Sequence, residues 1–507
     1  MNVQLGQGFP DDDTILDVFV IGAGFAGICA GIKLRAAGIS NFLIVDKADG
    51  LGGTWHNNTY PGAACDVPSH LYCFSFEPNP DWSCLYSPQA EIKTYIEKCA
   101  VKYELAPLIR LNVKIVELRY IDEEGCWQIS LDSGSQLRAR HIINGTGGLH
   151  VPLTPHFEGE AEYKGTSLHT AKWDSEVDFT DKTVAVIGSA ASAIQVIPEL
   201  AKSVRHLTVF QRTPNYIAPR NNHQYSATQK SLFKKWPWLL RFYRWYIFIR
   251  MELLLFPAVR KNGRYGRLLR WQILRNLKGH VKDAALQRAL TPDYAVGCNR
   301  ILISDDFYQT LKRDNVTLEP IAVHRFWEDG VIDASGEKHS ADIVVYATGY
   351  DIEKHMLSID VIGAGGKKLS DVWGDFPTAY HGSALAEFPN FYMVTGPNTG
   401  VGTTSVVFMI EQQIDMIMKL IKAAGSSHVI SVRKQAQEEY NEEIHAALAK
   451  TVWASGCKSW YRRADGKIIT LYPYNARTFR KRQGDVSLKD FEFRNLPSNT
   501  DMTNDPI

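Results

Sequence analysis

One hydrophobic rhythm occurs twice along the chain. Asp17-Val-Phe-Val-Ile21 is a largely apolar run that stops at Gly22, and residues Ile28 to Ala37 then take helical character, giving strand, glycine turn and helix in order. A second apolar run, Asn41 to Val45, ends at Asp46. The arrangement returns 166 residues later: Thr183-Val-Ala-Val-Ile187 precedes Gly188, a helix is predicted over Ala190 to Ala201, and His206-Leu-Thr-Val-Phe210 is the next strand. Apolar strands joined by helices pair in parallel with both faces covered, so each half predicts a doubly wound α/β sheet of the dinucleotide-binding (Rossmann-like) kind.

Between Asn221 and Leu290 strand-like alternation disappears, and the pattern turns aromatic, basic and helical. Its most apolar stretch, Trp236 to Arg260, is interrupted by Arg241, Arg244, Arg250 and Glu252, so it lacks the roughly 20 uninterrupted apolar residues of a spanning helix. It is read as a buried or interdomain helix, ahead of a peripheral membrane contact.

Length and charge narrow the classes. At 507 residues the chain exceeds the size, about 250 to 300 residues, at which single cores stop growing, so two or three domains are expected. With 22% charged residues and a formal net charge of +1, no nucleic-acid partner is expected. The eight cysteines contain no Cys-x-x-Cys pair, which argues against a zinc site or a redox dithiol; no metal is expected, and the cysteines read as reduced thiols. Met1 to Asp13 carries no basic region followed by an apolar core, so no secretory signal is expected and a cytoplasmic location is the default.

Gly22-Ala-Gly24-Phe-Ala-Gly27 satisfies the dinucleotide fingerprint in its strand-to-helix context, where bare backbone admits a pyrophosphate against the helix N-terminus. Asp46 is placed to accept ribose hydroxyls. The second turn, Gly188-Ser189-Ala190-Ala-Ser-Ala193, has alanine at the second and third glycine positions, and a methyl at Ala190 crowds the pyrophosphate approach. Gln211 stands where an NAD enzyme carries an acid, and Arg212-Thr213 follow. A neutral residue beside a guanidinium suits a 2′-phosphate, so NADPH is expected rather than NADH.

Between the two turns lies Tyr163-Lys-Gly165-Thr-Ser-Leu-His169-Thr-Ala-Lys-Trp173-Asp174. This resembles the linker fingerprint of the type I Baeyer–Villiger monooxygenases, Phe-x-Gly-x-x-x-His-x-x-x-Trp-Pro/Asp, and departs only at Tyr163. Gly52-Gly53-Thr54-Trp55 is similar to the segment that lines the flavin in that family, and Tyr60-Pro-Gly-Ala-Ala-Cys65-Asp66 resembles its Tyr-Pro-Gly-x-x-Cys-Asp. Thr291-Pro-Asp-Tyr-Ala-Val-Gly297-Cys298-Asn299-Arg300 resembles its Pro-x-x-x-x-Gly-x-Lys-Arg, with Asn299 in place of a lysine that helps to hold the 2′-phosphate. The resemblance covers nearly the whole chain, the late Cys457-Lys-Ser-Trp460-Tyr461 segment included.

The resemblance implies an FAD-binding domain over 1–150 and 383–507, an NADP-binding domain over 151–220 and 295–382, and a helical insert over 221–294. The strand ends at Gly145-Thr-Gly147 and Thr348-Gly349 become the crossings between domains. It further implies that NADPH reduces FAD, that O2 adds to give a flavin 4a-peroxide, and that this attacks an apolar ketone to form an ester or lactone. Arg300 would stabilise the developing negative charge, and Asp66 would orient Arg300 through paired hydrogen bonds. His169 is implied to couple NADP binding to domain movement without exchanging a proton with substrate. Two alternatives stay open: an N- or S-oxygenating flavin monooxygenase, and an uncoupled NADPH oxidase or nucleotide-binding regulator, to which Ala190 and Asn299 lend weight.

Overall fold

The computed structural model describes residues 5–496 apart from 7, 12, 13, 262, 352–355, 375, 401 and 457–464. The Cys457-to-Tyr461 segment therefore lies outside the described residues.

Strand β1 (Ile15–Ile21) turns through Gly22 into helix α1 (Phe25–Ala36), and β2 (Phe42–Val45) follows. After α2 (Thr54–Asn57) and α3 (Gln89–Lys102) come a short β3 (Ile109–Arg110) and then β4 (Ile115–Ile121), β5 (Cys126–Leu131) and β6 (Gln136–Asn144). β1 lies between β2 and β6, parallel to both, with Val20 opposite Ile44 and Ile143. Covered on both faces, Val18, Phe19 and Val20 are all fully buried, which is why this strand reads as a continuous apolar run. β4, β5 and β6 form an antiparallel meander, so the first sheet is mixed.

The second half builds a separate sheet. Its elements are β7 (Thr166–His169), β8 (Thr183–Ile187), α4 (Ala193–Leu200), β9 (His206–Phe210) and a short β10 (Ile217–Ala218). Helices α5 (Ala227–Lys235), α6 (Pro237–Leu255), α7 (Arg264–His280) and α8 (Ala284–Ala289) form the insert. β11 (Leu302–Ile303), β12 (Val316–Glu319), the meander β13 (Val323–Trp327), β14 (Gly330–Asp333) and β15 (Lys338–Ser340), and β16 (Ile343–Tyr346) complete it. The five-stranded order is β12-β9-β8-β16-β7, with every pairing parallel.

The chain rejoins the first sheet earlier than the sequence suggests. β17 (Asp360–Ile362) pairs with β4, and β18 (Phe391–Met393) runs parallel to β6. The return thus precedes Gly382; a three-residue edge strand is too short for periodicity to reveal. The insert departs further. α6 buries only Leu240, Ile247 and Glu252 and exposes much of its aromatic content, so of the buried or interdomain helix expected it is not the buried one, while Phe248 packing on Phe408 and Arg244 donating to His70 O join it to the half built on the first sheet. Among the described residues no helix is long and apolar enough to cross a membrane. Cys298 is disulfide-bonded, which corrects the expectation that all cysteines are reduced, whereas Cys29, Cys65, Cys73, Cys84, Cys99 and Cys126 are free and buried.

Three histidines are buried as neutral rings. His70 is caged by Tyr225, Phe233 and Tyr243, His141 stacks on Tyr392, and His381 packs between Tyr380 and Tyr440. Burial pushes each down to about 3. Their folded values lie below the unfolded value, near 6.5, so the unfolded chain binds more protons and stability falls as pH drops from about 6.5 toward 3. At pH 5 each is expected to cost on the order of 2 kcal/mol relative to pH 8. The His141→Phe variant should accordingly lose less melting temperature between pH 8 and pH 5 than the parent; parallel profiles would count against a buried neutral ring.

Candidate functional site

The parallel strands β1, β6 and β18 end at one edge, where a doubly wound sheet opens its ligand crevice. Gly22 takes φ +98° there, and a Cβ on it would stand 2.6 Å from the Gly145 carbonyl oxygen. A Cβ on Gly27 would collide with the Gly22 carbonyl oxygen, so the third glycine closes helix on strand. Gly24 faces Gly53: a Cβ on Gly53 would lie 3.1 Å from the Gly24 Cα, and Gly52 N donates to Ala23 O at 3.1 Å. Two stretches of bare backbone are thus apposed. Thr54 opens α2, and buried Trp55 donates its ring N–H to the Tyr72 hydroxyl at 3.2 Å.

Asp46 ties this turn to β2. One carboxylate oxygen accepts from Ala23 N at 2.7 Å and the other from Ala48 N at 2.9 Å, leaving lone pairs on both. On the loop leaving β18, Thr395 Oγ1, Asn398 Oδ1 and Thr404 Oγ1 are buried without a hydrogen-bond partner among the described residues. Buried polar atoms are normally satisfied, so this edge fits a ligand with polar groups of its own. The sequence reading missed these residues, although the Thr395-Gly-Pro-Asn398-Thr399 stretch directly after an apolar strand was an available signal.

The second turn repeats the construction. Gly188 takes φ +116°, and a Cβ on it would lie 2.6 Å from the Ala347 carbonyl oxygen. Ala193 is fully buried at the start of α4, and Ala190 is exposed. Ser189 Oγ donates to Thr213 O at 3.4 Å, and Asn215 Nδ2 donates to Ser189 O at 3.1 Å, fastening the turn to the chain leaving β9. Arg212 and Thr213 are exposed there. Gln211 is buried with its amide donated to Ala289 O at 3.0 Å, so it braces the insert and presents no acid at the strand end. Asn299 lies half-buried beside the Tyr294 hydroxyl.

Asp66 and Arg300 come together from the two halves. Tyr60 donates to Gln195 Oε1 at 2.8 Å and Gln195 Nε2 donates to Ala64 O at 3.0 Å, so a side chain of α4 clamps the segment that carries Asp66. Gly62, at φ +80°, leaves no room for a side chain against the Gln195 carbonyl oxygen, 2.5 Å from its Cβ position. Arg300 stands two residues before β11, which is held parallel to β10. Its Nε and Nη2 donate to the two Asp66 carboxylate oxygens at 2.7 and 2.6 Å, a bidentate pair about one third exposed (35% and 28%). Burial, with the Asp66 charge second, pushes the neighbouring Cys65 thiol well up, so it stays protonated. Arg220 Nη2 donates to Cys65 O at 3.2 Å and stacks over Tyr86 at 5.4 Å. Sequence reasoning missed Gln195 and Arg220, which carry no local motif.

The linker residues have partners of their own. His169 Nδ1 accepts from Ala171 N at 2.9 Å, which leaves the ring proton on Nε2, 3.3 Å from Thr348 Oγ1. Burial pushes its pKa down, so the ring is a neutral bridge between β7 and the crossing segment. A Cβ on Gly165 would strike the Tyr163 ring, and Tyr163 donates to Ala341 O at 2.9 Å, a bond that phenylalanine cannot make. Trp173 stacks on Phe179 with centroids 5.2 Å apart, and exposed Asp174 accepts from Glu176 N at 2.9 Å.

Residues 19–231 match the family model described as pyridine nucleotide-disulphide oxidoreductase. A Baeyer–Villiger monooxygenase of Pseudomonas aeruginosa is 37% identical over 481 residues, covering 93% of this chain and 90% of its own. The crystal structure of cyclohexanone monooxygenase from Rhodococcus sp. Phi1 bound to NADP+ superposes with a TM-score of 0.86 at 28% identity, over 95% of this chain and 99% of that one. The OTEMO complex with FAD and NADP gives 0.86 at 25% identity, over 94% and 99%.

The clamp generates an expected outcome. Gln195→Ala strands the Ala64 carbonyl and leaves the Tyr60 hydroxyl only its contact with Ser192, so unfolding free energy should fall by about 1 to 3 kcal/mol in denaturant titrations. Unchanged stability would mean that the clamp is not made in solution.

Proposed function

The chain belongs to the Baeyer–Villiger monooxygenase family, and we propose that it uses FAD, NADPH and O2 to convert an apolar ketone into an ester or lactone, releasing NADP+ and water. The observation that carries this reading is the bidentate Arg300–Asp66 pair, which joins residues from the two halves of the chain. When bound, FAD supplies the acceptor for the hydride of NADPH and the reduced ring that reacts with O2.

The chain's own residues bind, orient and stabilise charge. FAD is assigned to the cradle of Gly22, Gly24 and Gly27 with Asp46, faced by Gly53, Thr54 and Trp55. NADPH is assigned to Gly188, Ser189, Ala190, Arg212, Thr213 and Asn299. Addition of oxygen to a carbonyl places negative charge on oxygen, and a guanidinium already fixed in position stabilises it without reorganising at the moment of reaction. Asp66 fixes the plane of the Arg300 guanidinium through two hydrogen bonds. An apolar substrate suits the surroundings: α6 reaches the Asp66 segment, with Arg244 Nη1 donating to His70 O at 2.7 Å among aromatic side chains.

Product analysis is the test. FAD-loaded protein given NADPH, O2 and a panel of ketones should yield esters; sulfoxides alone, or hydrogen peroxide alone, would reject the assignment.

Two variants give expected outcomes. Arg300→Ala should keep FAD and some anaerobic reduction by NADPH, as followed by stopped flow. Its ester formation should lose about 3 to 4 kcal/mol of barrier stabilisation, the scale of an oxyanion-hole donor. Normal ester yield would show that Arg300 is only a surface cation. Arg212→Ala should lose about 2 to 3 kcal/mol of the preference for NADPH over NADH, read from kcat/KM with each cofactor. Equal use of both cofactors by the parent would contradict the assignment of this end of β9.

A further inference from the structure

α6 carries an apolar stripe that the rest of the described chain leaves largely exposed. Trp238, Phe242, Trp245, Tyr246, Ile249 and Leu253 recur at the spacing of one helix face. Trp238 is 65% exposed, Phe242 56%, Trp245 55% and Leu253 67%. The opposite side holds the buried Leu240, Ile247 and Glu252, and Glu252 accepts from Ala476 N at 3.2 Å. The only acid of α6 is therefore turned inward, whereas Arg241 and Arg250 flank the stripe in solvent. α7 adds exposed Leu268 and Trp271 among exposed Arg264, Arg267 and Arg275.

Charge is segregated in the same region. Residues 221–290 contain fifteen Lys and Arg against two acids, Glu252 and Asp283, a net +13 in a chain whose total is +1. Among the described residues only Lys234 of these cations forms an ion pair, with Asp81 at 2.7 Å. The exposed tryptophans of the described chain, Trp236, Trp238, Trp245 and Trp271, all fall here too. Exposed apolar patches of this extent mark an interaction site, and indole rings between arginines suit the boundary between headgroups and acyl chains.

We propose that the insert is a docking element for membranes rich in anionic lipid, with α6 lying in the plane of the interface, its aromatic stripe at headgroup depth and its arginines against lipid phosphates. No described helix can cross a bilayer, so the contact is peripheral. A second copy of this chain is the poorer occupant, because a two-fold contact through this face would set one basic patch against another.

The test uses the FAD-loaded full chain and sedimentation with vesicles. At about 0.15 M salt it should bind phosphatidylcholine vesicles containing ~30 mole per cent phosphatidylglycerol at least about tenfold more tightly than phosphatidylcholine alone, with a blue shift of tryptophan fluorescence and loss of binding at about 0.5 M salt. Trp238→Ser/Trp245→Ser and, separately, Arg241→Glu/Arg250→Glu should each weaken binding about tenfold while retaining the flavin spectrum. No binding to either vesicle, equal binding to both, or full binding by the tryptophan variant would overturn the proposal. So would a dimer in sedimentation velocity that the tryptophan variant abolishes while vesicles are ignored. The comparison of the two vesicles by the parent protein decides the matter even if a variant fails to fold.

Discussion

Arg300 and Asp66 lie 234 positions apart and meet in one bidentate pair only because two separately wound sheets are held against each other. An ion pair one third exposed contributes at most about 1 kcal/mol to stability, so the pair does not hold the halves together. The dependence runs the other way. Gln195 on α4 clamps the segment that carries Asp66, β10 and β11 hold the approach to Arg300, and Arg220 braces the backbone at Cys65. What these contacts fix is the plane and direction of one guanidinium. A fixed cation is valuable where charge appears transiently, because it has no reorientation left to do.

The same economy governs the nucleotide turns. Gly22 approaches the Gly145 carbonyl, and Gly188 approaches the Ala347 carbonyl at the same 2.6 Å for a Cβ, so both turns are shaped by the strand beside them. The third position differs. Gly27 admits no side chain, whereas Ala193 is accommodated fully buried at the start of α4. The departure at Ala193 is thus absorbed by packing, whereas Ala190 is exposed on the turn to which NADPH is assigned.

How much of this was legible in the sequence follows from what is local. β8 and β9 begin and end where the apolar runs do, and the glycine turns were visible because strand, turn and helix are consecutive. Asp66 and Arg300 were singled out by short motifs, yet their contact depends on chain crossings that no window can contain. Gln195 looks like any polar residue of a short helix until Tyr60 is seen above it. β17 is three residues long, too short to leave periodicity. The Trp236-to-Arg260 stretch was legible only in part for a different reason: apolar content reports what a helix offers, and only the fold decides which face is covered.

The central claim, that Asp66 acts through Arg300, is tested most directly by a double-mutant cycle on ester formation. The rates of Asp66→Ala, Arg300→Ala and the double variant are compared with that of the parent protein, each checked for bound flavin. If Asp66 serves to orient the guanidinium, the double variant should be no slower than Arg300→Ala alone, because nothing remains to be oriented. Losses that add would mean that the two side chains act independently, and would contradict the claim.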